Sequence, residues 1–301
     1  MIVGSQPANR LLKPEVLARL GTLDLVARTV VDGVTTGLHR SPHFGFSQEF
    51  AEYRAYSEGD DLRYVDWNVY ARTERTYIKR FQGETNTAIN LLLDTSASMG
   101  FGDPTSKLQQ ALYLVASLAY VTRKQHDALG LVVFDEQVRH YLAPSSRADS
   151  LVRAMRLLEN TEAGRGTDIL TALHSLQASI TKRGLLVLVS DLYTNADDLL
   201  DALQPLAHGG QDIAVFHILD KEEIQPTTKT ISTYKDLETD DKVIVDPQFL
   251  KSRYRERFAA HCESMEQSCR RIGADYTRLL SSEPLDDALQ AYMNFRVRRG
   301  R

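Results

Sequence analysis

Short apolar runs alternate with amphipathic stretches along the last two thirds of the chain. Four of these runs have the length of strands and are apolar at almost every position, as strands buried on both faces of a sheet require. They are Ile89 to Leu93, Leu129 to Phe134, Leu185 to Ser190 and Ile213 to Leu219. The stretches that predict helices between them are Ser106 to Gln125, Arg147 to Asn160, Thr167 to Thr181 and Asp197 to Ala207.

This regular alternation of strand and helix predicts an α/β fold with a doubly wound, mostly parallel central sheet flanked by helices, similar to a Rossmann sheet. Val138 to Leu142 alternates in polarity soon after the second run, which predicts an antiparallel edge strand. The remaining segments are a polar, irregular passage from Leu219 to Asp246, a long helix near Gln248 to Arg271, a short segment Tyr276 to Leu280 and a last helix from Asp286. We expect them to complete the same sheet.

The character of the sequence changes near Arg80, where crowded glycines, aromatics and paired charges give way to regular alternation. We therefore divide the chain into an N-terminal segment, residues 1–80, and an α/β domain, residues 81–301, on which the first segment packs. Asp60, Asp61, Arg63, Asp66, Arg72 and Arg75 surround the sole tryptophan, Trp67, and predict a salt-bridged plug that docks against the sheet. Arg54, Arg63 and Arg72 could instead bind an acidic partner or a phosphate, but no Gly-rich phosphate loop accompanies them.

Composition excludes several classes of protein. The chain has 301 residues, 43% of them hydrophobic and 25% charged, and a net charge of -4, which gives no overall attraction to nucleic acid. Its longest apolar run, Ala111 to Val121, is shorter than the ~20 residues of a membrane helix, so we expect a cytoplasmic protein with no transmembrane segment.

Cys262 and Cys269 lie two helical turns apart and are predicted to be reduced thiols. Pro42 between His39 and His43 breaks the helical spacing that a zinc site there would need.

The loop after the first apolar run carries the main candidate chemistry. Asp94, Ser96 and Ser98 repeat with a period of two, so a turning backbone can direct all three side chains to one point. Carboxylate and hydroxyl oxygens suit Mg²⁺ or Mn²⁺. The same residues are also common helix caps, and capping would be the default interpretation if the loop stood alone.

Two distant residues favour the metal interpretation. Asp191 follows another buried strand, and the carboxyl ends of parallel strands share one rim of the sheet, where ligands bind. Thr167 opens a helix after a glycine-rich turn and can offer its hydroxyl to the same space.

Other chemistries fit these residues less well. An aspartic protease needs a second such loop and a glycine where Ser96 stands, within a β-rich scaffold. A haloacid dehalogenase-type enzyme needs a second aspartate at that same position, and a serine hydrolase needs a G-x-S-x-G elbow that the chain lacks. We expect no catalytic residues, because no suitable general base accompanies the site.

The D-x-S-x-S loop, Thr167 and Asp191 together resemble the metal-ion-dependent adhesion site of von Willebrand factor type A domains. The segments HRSPHFG, EFAEYRAYSEGDDLRYVDW, YART and ETNTAINLLLDTSASM further resemble the bacterial domain-of-unknown-function family 58 over nearly the whole chain. The resemblance implies that Asp94, Ser96, Ser98, Thr167 and Asp191 hold one divalent cation, with some carboxylates acting through water. It also implies that a protein partner supplies a Glu or Asp to that cation, and that a MoxR-type AAA+ ATPase or its client is the partner.

We therefore expect a non-enzymatic, metal-dependent adaptor. Two alternatives stay open at this point: a metal-dependent hydrolase or phosphoryl-transfer enzyme that uses the same Asp, Ser and Thr residues, and a scaffold with an empty site. The sequence does not indicate an oligomeric state.

Overall fold

The structure is a computed structural model that describes residues 13–38, 50–57, 65–81, 87–164, 166, 168–177, 179–180, 183–226, 232–235, 242–245 and 253–299. Within it the chain forms two compact units, one of Met1–Gly37 with Thr87–Arg301 and the other of Leu38–Asn86.

The larger unit contains the following helices and strands. The helices are α1 (Pro14–Leu17), α2 (Leu23–Leu38), α4 (Lys107–Lys124), α5 (Ser150–Glu159), α6 (Ile169–Gln177), α7 (Ala196–His208), α8 (Lys221–Ile224), α9 (Arg255–Arg271) and α10 (Asp286–Arg298); α3 belongs to the smaller unit. The strands are β3 (Ala88–Asp94), β4 (Ala128–Phe134), β5 (Val138–Ser145), β6 (Gly184–Ser190), β7 (Gln211–Leu219), β8 (Ser232–Lys235), β9 (Lys242–Val245) and β10 (Asp275–Leu280); β1 (Phe50–Ala55) and β2 (Tyr77–Phe81) belong to the smaller unit.

Six of the strands form one sheet in the order β10-β7-β6-β3-β4-β5. All neighbours in it are parallel except β5, which pairs with β4 antiparallel at one edge. At the opposite edge, β10 completes the sheet beside β7. The predicted α/β class, the doubly wound mostly parallel sheet and the antiparallel edge strand are all confirmed.

The two middle strands, β3 and β6, are buried at every position because helices cover both faces. Leu92 packs in a core cluster with residues of α6, α7 and α9, so that face is covered by these three helices. Helix α4 lies on the other face against β3, β4, β6 and β7, and it contacts α5 and α10. Each fully buried leucine of these strands contributes roughly 2 kcal/mol to stability. The continuous apolar runs are thus explained by burial on both sides.

Helix α2 belongs to the same unit as the sheet and is joined to it by polar contacts. The Leu23 amide donates to Glu159 Oε1 at 3.3 Å, and Lys124 Nζ pairs with Asp32 Oδ1 at 3.4 Å. Helix α2 therefore packs with the sheet in one unit, and the predicted division into residues 1–80 and 81–301 stays a prediction.

The smaller unit holds an antiparallel pair, β1 (Phe50–Ala55) and β2 (Tyr77–Phe81), with α3 (Trp67–Thr73) between them in sequence. Asp66 caps α3 by accepting from the amides of Asn68 and Val69 at 3.0 and 3.1 Å. Trp67 is 60% exposed and meets Tyr70 edge-on, with 6.0 Å between ring centroids. Trp67 therefore begins α3 with its ring largely exposed, and the salt-bridged plug stays a prediction. Asp60, Asp61, Arg63, His39 and His43 lie outside the described residues.

The passage after Leu219 is more regular than its polar sequence suggests. It contains α8 and an antiparallel pair formed by β8 and β9. Strands of four residues are too short to show a periodic pattern, which is why the sequence did not predict them.

Cys262 and Cys269 are free and buried, as predicted. Among the described helices, none is both long and apolar enough to cross a membrane.

Candidate metal-binding rim

The two candidate aspartates lie on one rim of the sheet. Asp94 is the last residue of β3, and Asp191 directly follows β6. These strands are parallel neighbours, with Leu93 opposite Val189, so their carboxyl ends meet. The predicted convergence of Asp94 and Asp191 is a consequence of this register.

Asp94 is a fully buried carboxyl group. Its Oδ1 accepts from the Ser96 amide at 2.9 Å, and its Oδ2 accepts from the Ser190 hydroxyl at 2.6 Å. Loss of hydration, and next the nearby charge of Asp191, raise the pKa of Asp94 to about 7 despite these bonds and a third with the Ser96 hydroxyl. The ionised form of Asp94 therefore lacks a positively charged partner at the rim, and a bound cation would supply that charge.

Ser96 and Ser98 stand beside Asp94 with their hydroxyls together. Their Oγ atoms are 3.0 Å apart. Ser96 is buried and stands before the 3-10 turn Ala97–Gly100, yet among the described residues its side chain makes no capping bond to that turn. The long helix α4 is capped instead by Ser106, whose Oγ accepts from the Gln109 amide at 3.1 Å. The Ser96 side chain therefore does not cap the turn, and its hydroxyl lies at the rim beside that of Ser98.

Thr167 lies outside the described residues, so its predicted place at the rim stays a prediction. Its described neighbours do approach the Asp94 loop. The Gly164 amide donates to the Thr95 carbonyl at 2.5 Å, and a Cβ at Gly164 would lie 2.5 Å from Asp135 Oδ2. A side chain at Gly164 would meet the Asp135 carboxylate, so this segment lies against the loops that follow β3 and β4.

A buried lysine also belongs to the rim, and the sequence analysis missed it. Lys107 begins α4, and its Nζ donates to Asp191 Oδ2 at 2.7 Å and to Glu223 Oε1 at 2.5 Å. Both the Lys107 and the Asp191 side chains are 0% exposed. The Tyr193 hydroxyl also donates to Glu223 Oε1, at 2.9 Å. Asp191 Oδ1 has no hydrogen-bond partner among the described residues.

His217 on β7 fixes the backbone of Asp191. Its Nε2 lies 2.8 Å from the Asp191 carbonyl oxygen, and its Nδ1 lies 2.6 Å from the Tyr276 hydroxyl. A carbonyl only accepts, so Nε2 carries the proton and Nδ1 accepts from Tyr276. Burial lowers the pKa of His217 to about 3, which keeps the ring neutral. The histidine is thus a support for the loop, with both nitrogens engaged.

The donor set fits a hard divalent cation. It offers carboxylate oxygens of Asp94 and Asp191 and hydroxyls of Ser96 and Ser98, the oxygen ligands that Mg²⁺ and Mn²⁺ prefer. No group of three or more His, Cys, Asp or Glu side chains suited to a metal occurs in the described part of the chain. Hydroxyl groups must therefore supply some of the ligands of any cation at this rim. Asp191 Oδ1, which has no hydrogen-bond partner among the described residues, is available as a carboxylate ligand.

Comparison with known families tests the sequence resemblance. The family model described as "Protein of unknown function DUF58" matches residues 52–268, well over half of the chain. The chain belongs to the DUF58 family. The match begins within β1 of the smaller unit and includes most of the α/β unit, and both aspartates fall within it.

The curated relatives of this DUF58 protein are mycobacterial. An uncharacterized protein of Mycobacterium tuberculosis strain H37Rv is 26% identical over 267 residues, which cover 87% of this chain and 83% of the relative. An uncharacterized protein of Mycobacterium bovis matches to the same extent.

Solved structures similar to this chain include BatB from Bacteroides thetaiotaomicron, with a TM-score of 0.47 and 18% identity over 69% of this chain and 97% of that one. An aerotolerance-related membrane protein from Bacteroides fragilis has a TM-score of 0.48 and 18% identity, covering 68% and 98%. The SpRpn10 VWA domain has a TM-score of 0.42 and 12% identity, covering 67% and 93%. These TM-scores are below 0.5, so the fold class rests on the strand order of the chain itself.

Several supporting residues had weak signals or none in the sequence. Ser190 ends an apolar run directly before Asp191, and a polar residue at a strand end is a usable signal. No signal in the sequence indicated Lys107 or Glu223, because the two residues of this ion pair are 116 positions apart. His217 lies inside the last apolar run and looks like an ordinary core histidine.

Proposed function

We propose that this DUF58 protein is a non-enzymatic protein-interaction module whose rim holds a divalent cation, Mg²⁺ or Mn²⁺, that captures an acidic side chain of a partner. The observation that carries the proposal is the meeting of buried Asp94 with Asp191 and the paired hydroxyls of Ser96 and Ser98. Thr167 is the fifth residue of the proposed set, by resemblance to the adhesion site of type A domains.

The chemistry of the donors supports capture of an anion. Hydroxyl ligands are neutral, and Lys107 already neutralises part of the charge on Asp191. A cation at this rim would be incompletely neutralised by the protein, so a partner carboxylate would be a favourable further ligand. A second acidic protein surface is thus the kind of partner that the donors fit.

The surroundings of the rim favour binding over catalysis. Lys107 is engaged by two carboxylates, and both ring nitrogens of His217 are engaged by Asp191 and Tyr276. Neither group is placed to act as a free general base. The resemblance to family 58 names the partner class within the proposal: a MoxR-type AAA+ ATPase or its client, for which this chain would act as an adaptor in assembly or activation.

Calorimetric titration with MgCl₂ and MnCl₂ tests the cation. We expect binding by the chelator-treated wild type and loss of binding in Asp94→Ala and in the double variant Ser96→Ala/Ser98→Ala. Asp135→Asn is the matched control, because Asp135 is a buried carboxylate just after the neighbouring strand β4 but is paired with Arg139. A wild type that binds neither cation contradicts the proposal.

A pull-down from cell extract in Mg²⁺, with and without chelator, tests the partner. We expect a MoxR-type ATPase or its client to be retained by the wild type in Mg²⁺ and released by chelator. Equal retention by the wild type with and without chelator, or by Asp94→Ala and the wild type in Mg²⁺, would contradict capture through the cation.

A further inference from the structure

Lys107 occupies a position that is unfavourable for an ammonium group. Its side chain is 0% exposed, and it is the first residue of α4, where the partial charge of a helix is positive. Burial in addition deprives the ammonium of water. Two carboxylates at 2.7 and 2.5 Å compensate for this placement, one from Asp191 and one from Glu223. The lysine thus belongs to the electrostatics of the rim as well as to the helix.

The contacts of Asp191 make its two carboxylate oxygens unequal. Oδ2 is bound to Lys107, whereas Oδ1 has no hydrogen-bond partner in the part of the chain that the structure describes. The backbone of the same residue is held by His217. Asp191 is therefore fixed at both ends, with one oxygen withheld by the lysine.

Glu223 determines how much of the lysine's charge reaches Asp191. Its Oε1 accepts from Lys107 and from the Tyr193 hydroxyl, and its Oε2 accepts from the Asp220 amide at 2.8 Å. The last bond is part of the capping box that begins α8. The carboxylate is thus anchored to a separate helix and shares the ammonium with Asp191.

We propose that Lys107 and Glu223 are positioning residues that set the affinity of the rim for its divalent cation. Lys107 binds one carboxylate oxygen of Asp191 and offsets part of its negative charge, whereas Glu223 offsets part of the charge of Lys107. This inference rests on the proposed function. Lys107 makes the local field less negative, so it weakens cation binding and leaves a bound cation more attractive to a partner carboxylate. Glu223 has the opposite effect.

Charge-changing variants separate this role from a structural one. In Lys107→Met both carboxylates lose their counter-ion, so the metal-free protein becomes less stable while its cation affinity rises by about 10- to 100-fold, the range for outer-shell partners of metal sites. In Glu223→Gln the lysine acts on Asp191 alone, and affinity falls by a similar factor. In the double variant the two charge changes oppose each other, and affinity falls back from that of Lys107→Met towards that of the wild type.

Lys124→Met is the matched control, because Lys124 lies at the other end of α4 and is partly exposed beside Asp32. It should leave the cation affinity unchanged. Dissociation constants come from calorimetry with MgCl₂ and MnCl₂, and melting temperatures are measured with and without cation. A lysine with only a structural role would lower the melting temperature and would weaken binding or leave it unchanged, which would overturn the inference.

The outcomes distinguish this inference from the proposed function. Wild-type binding without tightening in Lys107→Met overturns the inference alone. Binding by Lys107→Met but not by wild type supports the charge role and overturns the function. Absence of binding in both overturns both. If Lys107→Met does not fold, Glu223→Gln decides, since it retains the pair between Lys107 and Asp191: weaker binding supports the inference and unchanged affinity overturns it.

Discussion

Replacing Asp94 by asparagine should stabilise the metal-free protein at neutral pH and above. The folded state keeps the Asp94 proton up to about pH 7, whereas the unfolded chain loses it near 3.8. Because the folded pKa is raised, stability from this group is present at low pH and is lost as pH rises from about 4 to about 7. Asparagine carries no such charge and avoids that loss.

The size of the effect follows from the two pKa values. At 1.36 kcal/mol per pKa unit, the buried carboxylate costs about 4 kcal/mol above pH 7. Asparagine still accepts from the Ser96 amide but does not accept from the Ser190 hydroxyl, a loss of about 1 kcal/mol. The net gain in unfolding free energy is about 3 kcal/mol at pH 8, and it falls below about 1 kcal/mol at pH 5.

Urea unfolding in chelator at pH 5 and pH 8 measures this difference. With Mg²⁺ at a hundredfold excess over its dissociation constant, the wild type should gain about 2.7 kcal/mol and Asp94→Asn nothing. Asp135→Asn is the control, since it replaces a carboxylate that Arg139 neutralises at 2.7 and 2.8 Å by an amide that keeps one acceptor oxygen; it should lose at most about 1 kcal/mol at both pH values. If Asp94→Asn in chelator is less stable than wild type at pH 8, the reasoning is refuted.

Two further predictions concern the fold. Arg296→Leu should lower the unfolding free energy by about 3–5 kcal/mol, because it leaves the buried carboxylate of Asp127 without the guanidinium that now donates to it at 2.6 Å. Arg298 is exposed, so Arg298→Leu should lower the unfolding free energy by less than about 1 kcal/mol. Equal losses in the two variants would contradict the argument. Gly184→Ala should cost at least about 2 kcal/mol, since a Cβ there would lie 2.2 Å from the Ala88 carbonyl oxygen; an unchanged urea midpoint would show that the strands adjust.

The sheet could be predicted because its middle strands are buried on both faces. Such strands appear in the sequence as uninterrupted apolar runs, and β3 and β6 match them within a residue. Trp67 shows the limit of local reasoning, since the charges around it do not indicate the short helix that it begins, where its ring is 60% exposed. The four-residue strands β8 and β9 carry no period that could have indicated them.

The rim was predictable only in part, for a related reason. Asp94 and Asp191 each follow an apolar run, so topology alone brings them together. Lys107 looks like an ordinary exposed residue at a helix start, and its burial depends on Glu223, which no local pattern connects to it. A motif identifies the donors of such a site, whereas the groups that balance their charge come from tertiary structure.

The two aspartates of the rim, which a motif treats alike, have different electrostatic roles. Asp94 in the metal-free protein is neutralised by a proton up to about pH 7, and a cation can displace that proton. Asp191 is neutralised by Lys107, which is tied to α4 and cannot leave. The response of the rim to a cation therefore arises mainly at Asp94, while Asp191 contributes a fixed, already reduced charge. This asymmetry explains why removing the charge at Asp94 should stabilise the metal-free protein, whereas removing the lysine beside Asp191 should destabilise it.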